Sequence, residues 1–434
     1  MALSSAHPES LVGAEPALKA LRFSLLTAPL IGATFISKFG FPPLTSLGIG
    51  VSIFFLLGAC AAGALLGGMT IEPRRLALFT AMIGILGLIQ IFQPNTISPS
   101  SLLLLIAVHL PYIFTVPGSY DKDRIIKFFL GIVMVFACCG IAQYGLHFFV
   151  NPRYLFPIEN FTPDSLIVKQ FNHQAALAYG STEYRSNGVF LLEPSFFSQV
   201  LAVAIVAELC TFGRMSRLAV YGLALITSYS GTGLIVLAIC LPLCGIAQRR
   251  WGLLVAGLLA SAVIIAVQLS FHAHTVLSRV AEFDSDQSSG YMRFVGGFRL
   301  FDKFLWEDPW RAFFGYGAGS YAGYASGTHA YAAAEMALFK IVFEFGVVGA
   351  VVYFGFLFGC LYSSPAPRLL ILAVGITYFL NGIYVPFAHG LALSLLLWNT
   401  VPARGVRPGQ SGRERPREEA SSVPLPVARG IRAW

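Results

Sequence analysis

The stretch YRSNGVFLLEPSFFSQV, residues 184–200, sets an arginine, a glycine and a Glu-Pro-Ser cluster at the mouth of a hydrophobic run. A guanidinium beside hydrocarbon is costly unless it has a partner. The planar fork of Arg185 suits a phosphate or a carboxylate, which it grips through two parallel hydrogen bonds. Pro194 is well placed for the first turn of a helix, where its missing N–H costs nothing. The free N–H groups and positive dipole of that helix end then face the same surface as Arg185, and the two together describe an anion site. Gly188 lets the backbone bend between them, and Ser195 stands in the first turn beside Glu193. Glu193 has two readings. As structure, it steadies the helix N-terminus or pairs with Arg185; as chemistry, it is a general base or a group that orients a sugar hydroxyl.

A second charged segment follows later in the chain, with Arg279, Arg293, Arg299, Arg311, His329 and Glu335. His329 reads either as a solvated loop histidine or as a base for a hydroxyl near neutral pH. Lys340 and Glu344 are one helical turn apart and read as a structural pair. GYGAGSY, residues 315–321, lacks the spacing of a dinucleotide loop and follows no strand, so it reads as a tight connection. His272 and His274 flank one alanine with no carboxylate at fixed spacing, and no metal site is expected. His109, beside Pro111 in an apolar run, reads as a hydrogen-bonded bundle residue or a member of a proton path.

These residues need elements to hold them, and hydropathy supplies helices. The chain is 56% hydrophobic and only 12% charged over 434 residues, about half the charge of a soluble domain. Its apolar runs are of membrane-crossing length. We read an all-α, polytopic integral membrane protein of about twelve transmembrane helices, at roughly 22–37, 44–68, 76–93, 101–118, 126–149, 195–213, 217–229, 233–248, 252–270, 337–361, 368–386 and 389–401. The seventh and eighth are separated only by SYSGTG and could equally be one broken hairpin. Basic residues alternate as the positive-inside rule requires. Lys19, Arg22, Arg74, Arg75, Lys122, Arg124, Arg214, Arg217, Arg249, Arg250 and Arg368 fall on one side, and only Lys38 occupies the short turns of the other.

That map places both termini in the cytoplasm. It puts two long loops, 150–194 and 271–336, on the outer face, which in a bacterial cell is the periplasm. The domain reading is a cytoplasmic segment 1–21, a transmembrane catalytic domain 22–401 and a basic tail 402–434. The tail is rich in Arg, Pro, Gly and Ser and reads as disordered. It carries much of the +8 net charge, so the charge points to anionic lipid rather than nucleic acid. The N-terminus lacks the pattern of a cleavable signal peptide. Seven cysteines, all in or beside apolar runs, argue against a disulfide framework and against zinc. In the second loop, Phe294, Phe298, Phe301 and Leu305 share one helical stripe that Arg293, Arg299, Asp302 and Lys303 avoid, which predicts a helix in the membrane interface. Trp306 and Trp310 suit the aromatic belt. The spans are almost free of ionisable groups near the bilayer midplane, unlike an ion-coupled transporter.

Four motifs, in order over residues 185–361, resemble the O-antigen polymerase and O-antigen ligase superfamily, which includes the Wzy-like exopolysaccharide polymerases. They are RSNGVFLLEPSFFSQ, SYSGTGLIVL, FFGYGAGSY and FEFGVVGAVVYFGF. The resemblance implies a membrane glycosyltransferase of the all-helical, glycosyltransferase C-like class in the bacterial inner membrane. Its donor would be a glycan on undecaprenyl diphosphate and its acceptor a hydroxyl on the periplasmic face, with no cofactor and no metal. A chain-length regulator is an implied partner. By resemblance Arg185, Glu193, His329 and Glu335 are the catalytic candidates, and Gly188, Ser195, Arg293 and Arg299 bind substrate. Arg185 with Arg293 or Arg299 would hold the diphosphate; His329, Glu335 or Glu193 would steer or deprotonate the acceptor. His329 lacks a following Asn, and Glu335 stands where ligases place a His-Asn pair, which favours polymerase over ligase. A flippase or exporter of the same lipid-linked glycan, or a structural scaffold, are the other readings.

Overall fold

The computed structural model describes residues 14–42, 44–91, 93, 98–117, 122–177, 183–248, 252, 289–328 and 336–399. Each predicted span except the ninth contains a described helix. These are α1 (Ala14–Thr34), α2 (Val51–Leu65), α3 (Pro73–Ile91), α4 (Pro99–His109), α5 (Lys122–Leu146), α8 (Pro194–Thr211), α9 (Met215–Thr227), α10 (Gly231–Gln248), α15 (Ala337–Tyr362), α16 (Arg368–Leu380) and α17 (Pro386–Leu391), the last continuing as a π-helical turn, Ala392–Leu397. The long loops add short helices, α6 (Pro152–Leu155) and α7 (Pro157–Phe161) in the first, and α11 (Ser289–Phe294), α12 (Gly296–Leu300), α13 (Pro309–Phe314) and α14 (Ser320–Thr328) in the second. The ninth predicted span beyond residue 252, the tail, His272, His274, Arg279, His329 and Glu335 lie outside the described residues.

The all-α class holds, and the strands are limited to one two-residue antiparallel pair, Thr70–Ile71 with Phe114–Thr115, among the described residues. Four described helices are long and apolar enough to cross a membrane: Pro73–Ile91, Asp123–Leu146, Pro194–Thr211 and Ala337–Tyr362. Six further apolar helices are 10–17 residues long, short of the roughly 20 residues that a bilayer asks of a straight span. α1 begins at Ala14, inside the segment read as a lead-in.

α8 is the centre of the bundle. Every residue from Pro194 to Glu208 is buried, because α5, α9, α10 and α16 all pack on it. Small residues permit the close approach: a Cβ on Gly233 would lie 2.2 Å from the Ser198 carbonyl oxygen of α8. The helix starts at Pro194, as expected, and ends at Thr211; just beyond it Gly213 takes φ +65 and donates its N–H to the Glu208 carbonyl at 2.7 Å.

The predicted interface helix is broken. α11 stops at Phe294, α12 runs over Gly296–Leu300, and a π-helical turn takes Phe301–Leu305. Its apolar stripe does not lie on lipid alone. Phe301 and Leu305 are buried, and Phe298 and Phe301 pack edge-on against Phe339 in the first turn of α15. Glycine makes this possible, since a Cβ on Gly297 would stand 2.2 Å from the Phe339 ring. Trp306 and Trp310 are exposed, as an aromatic belt requires.

Candidate functional site

The RSNG turn is anchored from three sides. The Arg185 N–H donates to the Ala175 carbonyl at 2.9 Å, beside an isolated bridge between Ala176 and Tyr184. Its guanidinium Nη2 donates to the Leu177 carbonyl at 3.1 Å. The Ser186 N–H reaches the Thr227 carbonyl at the end of α9, 3.1 Å away. Ser186 Oγ and the Asn187 N–H both donate to Gln143 Oε1 on α5, at 2.9 and 3.1 Å. Gly188 makes the expected bend at φ +65, and a Cβ there would stand 2.8 Å from the Phe197 ring. Val189 follows at φ +68, a conformation that a β-branched residue takes only when its surroundings impose it. Here Asn187 Oδ1 accepts from the Val189 N–H at 3.0 Å, and Lys38 Nζ holds the Val189 carbonyl.

Glu193 precedes α8 and does not pair with Arg185. Its ion-pair partner is Arg293 on α11, 3.1 Å from Nη2 to Oε2, at side-chain exposures of 15% for Glu193 and 20% for Arg293. Ser195 Oγ donates to the same oxygen at 2.9 Å and lies 3.4 Å from Arg293 Nη2. The Asn172 N–H takes the other oxygen at 2.9 Å. Of the two structural alternatives for Glu193, pairing with Arg185 is not the one observed, because the Arg185 fork crosses to the Leu177 carbonyl on the facing segment. The second loop supplies the cation instead. The cluster therefore joins both long loops at the N-terminal end of α8. Arg299 is exposed, with its guanidinium 5.2 Å from the Tyr291 ring centre.

The other three resemblance motifs also meet in space. The SYSGTG turn lies against the Glu-Pro-Ser motif: Thr232 Oγ1 donates to the Ser195 carbonyl at 3.1 Å, and the Gly233 N–H to Ser198 Oγ at 3.1 Å. The glycine-rich loop closes on α15, which is kinked at Gly346 with φ +66. The Tyr316 and Gly317 N–H groups bond the Phe343 and Glu344 carbonyls at 2.9 and 2.8 Å. Gly315, Gly317 and Gly319 all have positive φ. GYGAGSY is thus the partner of a helix kink and not a phosphate loop. Glu344 also pairs with Lys340 at 3.1 Å and accepts from the Tyr321 N–H at 3.3 Å. The structural reading of that pair is the observed one.

Residues 78–364, more than half of the chain, match the family described as WcaD colanic acid polymerase. The chain belongs to that family of Wzy-like exopolysaccharide polymerases. No curated protein matches it. The matched region runs from within α3 to just past α15 and takes in all four motifs, so the polymerase branch of the resemblance is the one supported. With four helices fit to cross a bilayer, this member of the family is a membrane protein.

Several residues that hold this candidate site together were not singled out from sequence. Lys38, just past α1, is fully buried and pairs with Glu159 of α7 at 2.5 Å. Burial pushes its ammonium below the ordinary lysine value, and Glu159 works against that shift. Asn187 Nδ2 also reaches Glu159, at 3.4 Å. Asn381, beyond α16, exchanges side-chain hydrogen bonds with Gln199 of α8, at 2.7 and 3.4 Å, and its carbonyl accepts the Ala337 N–H that opens α15. A lone Asn in the apolar stretch FLNGIYVPF was the available signal.

Ionisable side chains are also buried in the helical bundle, Arg75, His109 and His389 among them. Arg75 is buried and ties three chain ends, donating to Ser363 Oγ and to the Phe114 and Leu397 carbonyls. His109 Nδ1 faces the Leu105 carbonyl at 2.8 Å, and Nε2 lies 2.7 and 2.9 Å from the Tyr378 and Tyr353 hydroxyls. His389 is held the opposite way, with Nε2 on the Ile383 carbonyl and Nδ1 on the Tyr112 hydroxyl. Backbone acceptors select one tautomer for each ring. This agrees with a hydrogen-bonded bundle residue.

Proposed function

We propose that this chain joins polyprenyl-diphosphate-linked oligosaccharide repeat units on the periplasmic face of a bacterial inner membrane, with both termini in the cytoplasm. One observation carries the reading. Charged groups from both long loops, Glu193 and Arg293, meet at the start of α8, the most buried of the four candidate membrane-crossing helices, with Ser195 between them. Family membership supplies the substrate class.

In this reading the acceptor hydroxyl oxygen attacks the anomeric carbon of the donor glycan. The bond from that carbon to the diphosphate oxygen breaks, and the diphosphate leaves with the bonding pair. Arg185 and Arg293 face the negative charge that develops on it. Undecaprenyl is the carrier the family resemblance implies. Glu193, already accepting from three donors, orients the acceptor hydroxyl, whose proton passes to Glu193 or to His329 or Glu335. Arg299, exposed beside Tyr291, receives the anionic head before it enters. Gly188 shapes the turn that carries Arg185.

The test is purified protein in lipid with a lipid-linked repeat unit, products resolved by size. Arg185→Ala should lose about 10²–10³ in rate, the usual effect of removing one donor to developing charge. Arg185→Lys keeps the charge but not the fork and should fall between. A full ladder from a folded Arg185→Ala protein overturns the assignment. Transfer to a lipid core without lengthening would make the chain a ligase, and movement of the unit without coupling a flippase.

A further inference from the structure

We infer that the outer surface of α6 and α7 is a subsite for the growing saccharide chain, distinct from the coupling site at α8. The inference rests on the polymerase reading for its ligand class.

Tyr154 and Phe161 are 63% and 58% exposed, yet their rings lie side by side with centroids 6.1 Å apart and planes 36° from each other. The surface is built. Pro152 and Pro157 open the two short helices. Between the exposed rings, Leu155 and Phe156 are buried: Gln143 Nε2 donates to the Leu155 carbonyl at 2.9 Å, and Phe156 packs edge-on against Tyr184. The rings are therefore held outward by a fixed backbone, which reduces the ordering cost of binding.

Polar groups rim them. Arg153 stands 5.4 Å from the Phe161 ring centre. The Asn160 amide is fixed at both ends, donating to the Arg153 carbonyl at 3.1 Å and accepting from Gln174 Nε2 at 3.2 Å. Aromatic faces are electron-rich, and a sugar ring presents positive C–H edges on one face and hydroxyls around its rim. Two exposed rings bordered by amide and guanidinium groups match that chemistry.

The surface is also continuous with the coupling site. Glu159, between the two rings in sequence, turns inward to Lys38 and Asn187 of the RSNG turn. Gln174 lies two residues from Asn172, whose N–H binds Glu193.

The test uses the full chain in lipid vesicles with the lipid-linked repeat unit, reading the rate of the first coupling and the final chain length. Three double variants are compared: Ala, Leu and Trp at both 154 and 161. Losing both rings should weaken the hold on an oligosaccharide about tenfold. Tyr154→Ala/Phe161→Ala and Tyr154→Leu/Phe161→Leu should then give short chains with the first coupling unchanged. Tyr154→Trp/Phe161→Trp should keep long chains. Leu keeps apolar contact with lipid but cannot stack a sugar, so long chains from the Leu pair overturn the inference in favour of a membrane contact. Full-length product from the Ala pair also overturns it. Absence of any first coupling by the unaltered protein would instead overturn the polymerase reading on which this rests.

Discussion

The ion pair between Glu193 and Arg293 separates structure from chemistry in one cycle of variants. At 3.1 Å and an effective dielectric near 20, the gross attraction is about 5 kcal/mol. Desolvation and side-chain ordering cancel most of it, leaving a net of about 1–2 kcal/mol for a pair this exposed. Glu193→Gln keeps an oxygen for the Asn172 N–H but strands the Arg293 charge. Arg293→Met strands the Glu193 carboxylate. Each single variant should lose about 2–3 kcal/mol of stability. The double variant removes both charges and should recover most of that loss, read as thermal denaturation in lipid nanodiscs. Polymerisation should not recover. If Arg293 meets the leaving diphosphate, Glu193→Gln/Arg293→Met stays about 10²-fold slow however well it folds. A stable double variant that makes polymer at the unaltered rate would show that the pair only ties two loops together, and the reasoning would fail.

Two further outcomes follow from packing. Gly346→Ala forces a side chain into φ +66 and sets its Cβ 2.3 Å from the Phe313 backbone, a loss of roughly 2–5 kcal/mol from conformation and overpacking together. Gly355→Ala in the same helix meets open space and should leave the melting temperature unchanged or higher, so equal losses at both sites would refute the kink. Breaking the buried Lys38–Glu159 pair by Lys38→Met alone should cost about 3–5 kcal/mol. Lys38→Met/Glu159→Leu should restore much of it, and a double variant as unstable as the single would refute the pairing.

The helices were largely legible because lipid demands long apolar runs, and those runs stand in the sequence without tertiary context. The first turn of α8 was legible for a local reason: Pro at its first position has one comfortable place. Contacts between loops were not. Arg185 and Glu193 are close in sequence and opposite in charge, so pairing them was natural. Nothing local showed that residues 175–177 draw the Arg185 fork away or that Arg293, a hundred residues on, replaces it. The interface helix failed for a related reason. Its stripe has helical period, but Gly297 admits Phe339, and Phe301 and Leu305 of the stripe are buried on protein. Lys38 was read only as a topological exception; its burial depends on Glu159, which no pattern near Lys38 discloses.

The four motifs form two assemblies, and how these are joined bears on the chemistry. RSNG, Glu-Pro-Ser and SYSGTG interlock around the start of α8. The glycine loop and the kinked α15 interlock through backbone hydrogen bonds. From the first assembly run two links of different character, one to the opening of α15 and one to α11. The Gln199–Asn381–Ala337 link is buried and neutral, uses fixed backbone and amide geometry, and sets the two helix starts at a constant separation. The Glu193–Arg293 link is charged and partly open to solvent. A reaction that brings two lipid-borne substrates together needs a rigid frame and, beside it, charges that can change partners when an anion arrives. An ion pair at the edge of the frame meets the second need, because a diphosphate offers Arg293 more negative charge than one carboxylate does. Releasing Glu193 at that moment would free its carboxylate for the acceptor hydroxyl, so donor binding and acceptor orientation would be one event.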